Sequence, residues 1–140
     1  MAIKLDHTIV PATDKVAAAQ LFAEIFGLTM RPVQGRFAQV PVNESLTIDF
    51  ADEAEDWGHI PWDPSHSESH HYAFCVSDGE FDGILSRVQA KGMAYGCGPR
   101  SHTDGQVSSR RGGRTIYFEV LDRHLLEVMT APSGGTGSNP

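Results

Sequence analysis

An internal repeat constrains this chain more than any other feature of its sequence. One copy reads His7-Thr-Ile-Val-Pro-Ala-Thr-Asp14 and runs through an apolar helical stretch to Gly27. The other reads His71-Tyr-Ala-Phe-Cys-Val-Ser-Asp78 and runs through a similar stretch to Gly92. Asp follows His by seven positions in both copies, and Gly follows His by 20 in one and 21 in the other. Each copy later carries an acid inside an apolar strand: Asp49 in Leu46-Thr-Ile-Asp-Phe50, and Glu127 in Leu125-Leu-Glu-Val-Met129. A repeated supersecondary unit can bring such residues to one centre. Two histidines with two carboxylates suit a divalent ion such as Zn²⁺, Ni²⁺, Mn²⁺ or Fe²⁺.

The repeat divides the chain into two modules, about 3–50 and 70–130, within a single domain of 1–131, followed by a flexible Gly/Ser-rich tail, 132–140. In the first module, Leu5 to Val10 reads as a strand stopped by Pro11. Asp14 then caps a helix with Ala18, Leu21, Phe22 and Ile25 at helical spacing, and Gly27 ends it. Arg36–Pro41 and Ser45–Phe50 form a hairpin around Val42-Asn-Glu, and strand alternation sets Thr47 and Asp49 opposite Leu46, Ile48 and Phe50.

The second module opens with strand His71–Val76. Ser77-x-x-Glu80 predicts a capping box before a helix with Phe81, Ile84, Leu85 and Val88 on one face. A long loop, Cys97 to Arg114, precedes strands Thr115–Val120 and Leu125–Thr130. Counting a short early strand, each module is βαβββ, giving an α+β fold. The stretch from Ala51 to Ser69 is acidic, carries Trp57, His59 and Trp62, and reads as the linker between the modules.

A net charge of −7 argues against a nucleic-acid partner, which would need a basic stripe. No apolar run approaches the ~20 residues of a membrane span, and no signal-peptide pattern opens the chain, so a cytoplasmic protein is expected. Cys75 and Cys97 fit no zinc-ribbon or redox spacing and read as free thiols.

Four stretches together carry a resemblance: Leu5-Asp-His7, Phe26-Gly-Leu28, His71-Tyr-Ala-Phe74 and Tyr117-Phe-Glu-x-x-Asp122-x-His124-Leu-Leu-Glu127. From about Lys4 to Met129 the chain resembles the vicinal oxygen chelate superfamily, which contains glyoxalase I, fosfomycin-resistance enzymes, extradiol dioxygenases, methylmalonyl-CoA epimerase and bleomycin-resistance proteins. The resemblance implies paired βαβββ modules whose sheets cup a metal held by His7, His71 and Glu127. It sets Asp49 where bacterial glyoxalase I has a fourth ligand, a glutamate. Tyr117, ten positions before Glu127, matches a tyrosine near the substrate in fosfomycin-resistance enzymes. Cys97 stands at the lysine position those enzymes use to grip phosphonate, which argues against fosfomycin as substrate. A turn usually written Asp-Pro-Asp-Gly-His reads Val120-Leu-Asp-Arg-His124 and lacks the Gly that tolerates positive φ.

His70 competes with His71, but it faces the other side of the strand and breaks the seven-residue spacing. His59, His66, His102 and His124 are expected on loops and surfaces, with His102 able to approach the cup from the long loop. The resemblance favours a metal-dependent lyase or isomerase of the glyoxalase kind, in which Asp49, Glu127 and Tyr117 serve catalysis. Two alternatives stand beside it. One is a small extradiol-type dioxygenase, with Tyr117 or His102 as acid–base group. The other is a metal-free protein that sequesters an aromatic natural product on Trp57, Trp62 and Tyr95.

The expected partner is a small molecule, and the expected assembly is a homodimer. The site is completed either within one chain or across the interface, where His7 and Asp49 of one chain could meet His71 and Glu127 of the other. Arg100, Arg110, Arg111 and Arg114 of the long loop are expected to favour anionic substrates.

Overall fold

The computed structural model describes residues 3–52, 70–109, 112–120 and 124–131. The chain divides into two compact units, Met1–Ser67 and Glu68–Pro140, and among the described residues each builds one three-stranded mixed sheet and one helix.

In the first unit, strand β1 (His7–Ala12) is followed by helix α1 (Lys15–Phe26), then β2 (Ala38–Pro41) and β3 (Thr47–Asp52). Sheet order is β1-β3-β2, with β1 parallel and β2 antiparallel to the central β3. The parallel pair requires a crossover, and α1 supplies it. Asp14 caps α1 by accepting from the Val16 and Ala17 amides at 3.1 Å each, and Gly27 ends it at φ 69°. The helix buries Ala18, Ala19, Phe22, Ala23 and Ile25. Phe22 meets Phe50 of β3 at 5.7 Å between ring centroids. Val10, Ala12, Ala38, Val40, Ile48 and Phe50 complete this core. Asp49 and His7 therefore lie on the sheet face away from the helix, as strand alternation predicts.

The second unit repeats the plan with β4 (His71–Cys75), α2 (Asp78–Ala90), β5 (Thr115–Val120) and β6 (His124–Met129), in order β4-β6-β5. Here too the outer strands run parallel and antiparallel to the central one. The capping box is present: the Glu80 amide donates to Ser77 Oγ at 3.1 Å, and the Ser77 amide donates to Glu80 Oε1 at 2.8 Å. Phe81, Ile84 and Val88 of α2 are buried, as are Ile116, Phe118, Leu126 and Val128 on the strands.

Three expectations are corrected. Pro11 does not stop the first strand but lies inside β1, which among the described residues is at the edge of its sheet, where a residue without an N–H is tolerated. Each unit is βαββ among the described residues, and the expected extra strand is reduced to isolated bridges, Gln34↔Phe37 in the first unit and Gly96↔Tyr117 and Ser108↔Thr115 in the second. His124 is not a surface residue: it opens β6 fully buried, with its ring 5.0 Å from that of His70, and the His70 amide donates to its Nδ1 at 3.1 Å.

No helix among the described residues is long and apolar enough to cross a membrane. Trp57, His59, Trp62, His66, Arg110, Arg111, Asp122 and the tail 132–140 lie outside the described residues.

Candidate functional site

Register places the two histidine–acid pairs identically within their units. In the first, His7 pairs with Thr47, and Ile9, two residues on, pairs with Asp49. In the second, His71 pairs with Leu125, and Ala73, two residues on, pairs with Glu127. Partners across a ladder share a face, so each unit carries one histidine and one carboxylate on adjacent strands of the same side. The third strand adds a polar residue opposite each acid: Gln39 pairs with Asp49, and Tyr117 pairs with Glu127.

The second unit's pair is in direct contact. His71 Nε2 and Glu127 Oε1 are 2.9 Å apart, and the Tyr117 ring stands edge-on to the imidazole at 6.1 Å. In the first unit the two groups are held separately. His7 Nδ1 is 2.8 Å from Asp6 Oδ2, and Asp49 Oδ1 accepts from Gln39 Nε2 at 3.2 Å. The hydrogen bond that His7 donates to Asp6, with added attraction from Asp49, raises the His7 pKa above its ordinary value. A carboxylate on Nδ1 also fixes the ring's orientation and leaves Nε2 as the lone-pair donor, the usual arrangement behind a ligating histidine.

The acids themselves fit a cation. Asp49 is 5 % exposed and Glu127 7 %. Each has one oxygen hydrogen-bonded and the other without a partner among the described residues. A buried carboxylate with an unmet oxygen is costly unless a cation or donor completes it. Imidazole nitrogen with carboxylate oxygen is a donor set for Zn, Ni, Mn or Fe. Within either unit the described residues form no cluster of three or more His, Cys, Asp or Glu. Each unit therefore offers half of the four-residue ligand set expected from the sequence.

Sequence reasoning missed Gln39, although the signal was present. Gln39 precedes Asp49 by ten positions, just as Tyr117 precedes Glu127. His102 does reach this side of the second sheet, where its Nε2 is 3.5 Å from Oε2 of Glu119, a face-mate of Tyr117. Arg114 is tied to α2. It donates to Asp82 Oδ1 at 2.7 Å and to Asp78 Oδ1 at 3.0 Å, and it lies 4.4 Å over the Phe81 ring. These two carboxylates hold its pKa above the ordinary value. Tyr95 likewise turns to α2, where its hydroxyl accepts from Gln89. Neither cysteine is in a disulfide, and Cys97 Sγ donates to Asp104 Oδ2.

No family model matches the sequence. Among solved structures, the chain is similar to the oxidase ChaP-H2, with 36 % identity, 98 % of this chain and 100 % of that one covered, and a TM-score of 0.82. A glutathione transferase FosA from Serratia marcescens is 23 % identical over 91 % of this chain and 81 % of its own length. The fold is also that of a lactoylglutathione lyase from Agrobacterium tumefaciens, at TM-score 0.62 and 18 % identity over 92 % of each chain.

Proposed function

Since the chain belongs to the vicinal oxygen chelate superfamily, we propose that it is a metal-dependent enzyme acting on a small molecule with adjacent oxygen atoms. The observation that carries this reading is the duplicated half-site: a histidine and a buried, half-satisfied carboxylate in the same register of both sheets. His7, His71, Glu127 and Asp49 are the proposed ligands of one divalent ion, Zn, Ni, Mn or Fe, completed within a chain or across a homodimer. When bound, the ion polarises a chelated oxygen and stabilises negative charge developing there.

The remaining chemistry falls to the chain's own residues. Asp6 holds His7 by Nδ1, leaving Nε2 as the nitrogen that would hold the ion. Glu127 is the anionic donor beside His71. Asp49, one methylene shorter than a glutamate, is a displaceable fourth ligand or the group that takes a proton from the substrate. Tyr117, next to both His71 and Glu127 on the sheet face, is the candidate to donate a hydrogen bond to the substrate.

Oxidation is the favoured reaction type, with dioxygen as the electron acceptor; it would require a redox-active ion of this set, Fe or Mn, since Zn has no redox chemistry. The support is the 36 % identity to an oxidase over that protein's whole length, whereas the 18 % likeness to a lyase speaks for the fold alone. Lyase chemistry of the glyoxalase kind, which the sequence resemblance favours, is the second reading. The experiment uses untagged protein purified without chelators. Its metal content is measured, and oxygen uptake is followed against aromatic vicinal diols, with hemithioacetal turnover in parallel. Substrate-dependent oxygen uptake supports the oxidase, and hemithioacetal turnover without oxygen supports the lyase. Ligand binding by a metal-free protein with no turnover overturns both in favour of sequestration. Light scattering tests the homodimer: a monomer with its metal bound excludes a site shared between two chains.

A further inference from the structure

We propose that Gln39 is a positioning residue that aims the Asp49 carboxylate, and that Arg31 sets which way the Gln39 amide points. The proposal rests on the reading of Asp49 as a donor of the candidate site.

Gln39 lies in β2 between Ala38 and Val40, both fully buried on the helix side of the sheet. Strand alternation leaves its side chain only the other face, directly opposite Asp49. An amide there could present either its oxygen or its NH₂ to the carboxylate, and only the NH₂ is attractive. Arg31 decides between them. Its guanidinium has donors and no acceptor, and Nη1 lies 3.4 Å from Gln39 Oε1. The backbone secures the same contact, because the Arg31 amide donates to the Gln39 carbonyl at 2.9 Å. With Oε1 turned to Arg31, Nε2 must face Asp49, as it does at 3.2 Å.

The result is a one-way relay, Arg31 to Gln39 to Asp49. It engages one carboxylate oxygen and leaves the other without a partner among the described residues. A short aspartate has little reach to correct a wrong angle, so holding one oxygen determines where the other points. The equivalent position of the second unit holds a phenol, Tyr117, not an amide. The two halves are thus built alike but differ in the group beside the acid. Partners that orient a ligand in this way are worth about 10- to 100-fold in metal affinity.

The test is Co²⁺ titration, by calorimetry and visible absorption, of the full-length untagged protein. The variants are Gln39→Leu, Asp49→Asn, the double variant and Arg31→Met. Gln39→Leu is expected to weaken Co²⁺ binding at least 10-fold, with the same circular dichroism as wild type. In the Asp49→Asn background the same change is expected to have little further effect, because its route is through Asp49. Arg31→Met, at an exposed contact, is expected to cost at most about five-fold. Should Gln39→Leu fail to fold, Gln39→Met keeps the side chain's length and serves instead.

Wild-type affinity in the Gln39 variant overturns the proposal, as does a loss that persists undiminished in the double variant. If Asp49→Asn itself binds Co²⁺ like wild type, the ligand reading of Asp49 has failed, and the positioning role falls with it.

Discussion

Replacing Glu127 by Gln should reverse the order of stability between metal-free and metal-loaded protein. Glu127 is 7 % exposed, with Oε1 against His71 Nε2 at 2.9 Å and the other oxygen unpartnered among the described residues. An unmet buried polar group costs about 1–3 kcal/mol, and more when it is charged. Glutamine keeps an acceptor for His71 and exchanges the charged orphan for a neutral one. In the presence of a chelator the variant should therefore be more stable than wild type by about 1 kcal/mol, equivalent to about 3 °C in Tm for a chain of this size. Saturating metal adds about 2.7 kcal/mol to wild type at a free concentration of 100 Kd. The variant, lacking an anionic donor, should gain much less. Urea unfolding of both proteins, in chelator and in Mn²⁺, measures all four values. The reasoning is refuted if Glu127→Gln is less stable than wild type in chelator and gains as much from Mn²⁺. That result would make the carboxylate a structural partner of His71 and nothing more.

The parts of the fold that depend on local periodicity were legible in the sequence. Both helix caps, the Gly27 stop and the face occupied by Asp49 follow from spacing alone, because a strand alternates and a capping box spans four residues. The equivalence of the two halves followed from the repeat. The features that were not legible depend on residues far apart in sequence. Arg114 reaches Asp78 and Asp82 across separations of 36 and 32 residues. Nothing in a loop rich in Gly, Ser and Arg foretells that one arginine belongs to a helix. His124 is buried because the start of β6 meets the residue before β4, 54 positions earlier. Pro11 was misread because a strand's place at the edge of its sheet is a property of topology, not of the residues around it. Gln39 lies between these cases. The ten-residue offset to Asp49 was countable, but only the register gave it meaning.

Ser77→Ala removes the capping oxygen and should cost about 1 kcal/mol by urea denaturation. The Ser77 amide and hydroxyl hold Glu80 below its ordinary pKa of 4.5, so its contribution is complete above that value and lost as pH falls through the lower folded value. The urea midpoint should therefore drop at acid pH, and by less in Ser77→Ala. Burial raises the Tyr72 pKa above 10.0, so stability should fall as pH rises past 10.0, and Tyr72→Phe should flatten that alkaline decline. Gly96→Ala should unseat the bridge to Tyr117, because an added Cβ would overlap the Ser101 carbonyl oxygen, and chemical shifts of the 96–108 loop would report it.

Arg114→Gln tests whether the loop arginine serves substrate or fold. Its guanidinium donates to Asp82 and Asp78 and lies over Phe81, so its binding capacity is already directed at α2. The variant should release the end of the loop from the helix, seen as faster amide hydrogen exchange over residues 112–116. Affinity for anionic and neutral forms of one substrate should change together, if at all, because no anion contact is removed. Arg100 is exposed, and Arg100→Gln supplies the comparison for an arginine not tied to α2. A KM that rises in Arg114→Gln for the anionic substrate alone, with exchange unchanged, would return Arg114 to the anion-binding role its loop suggests.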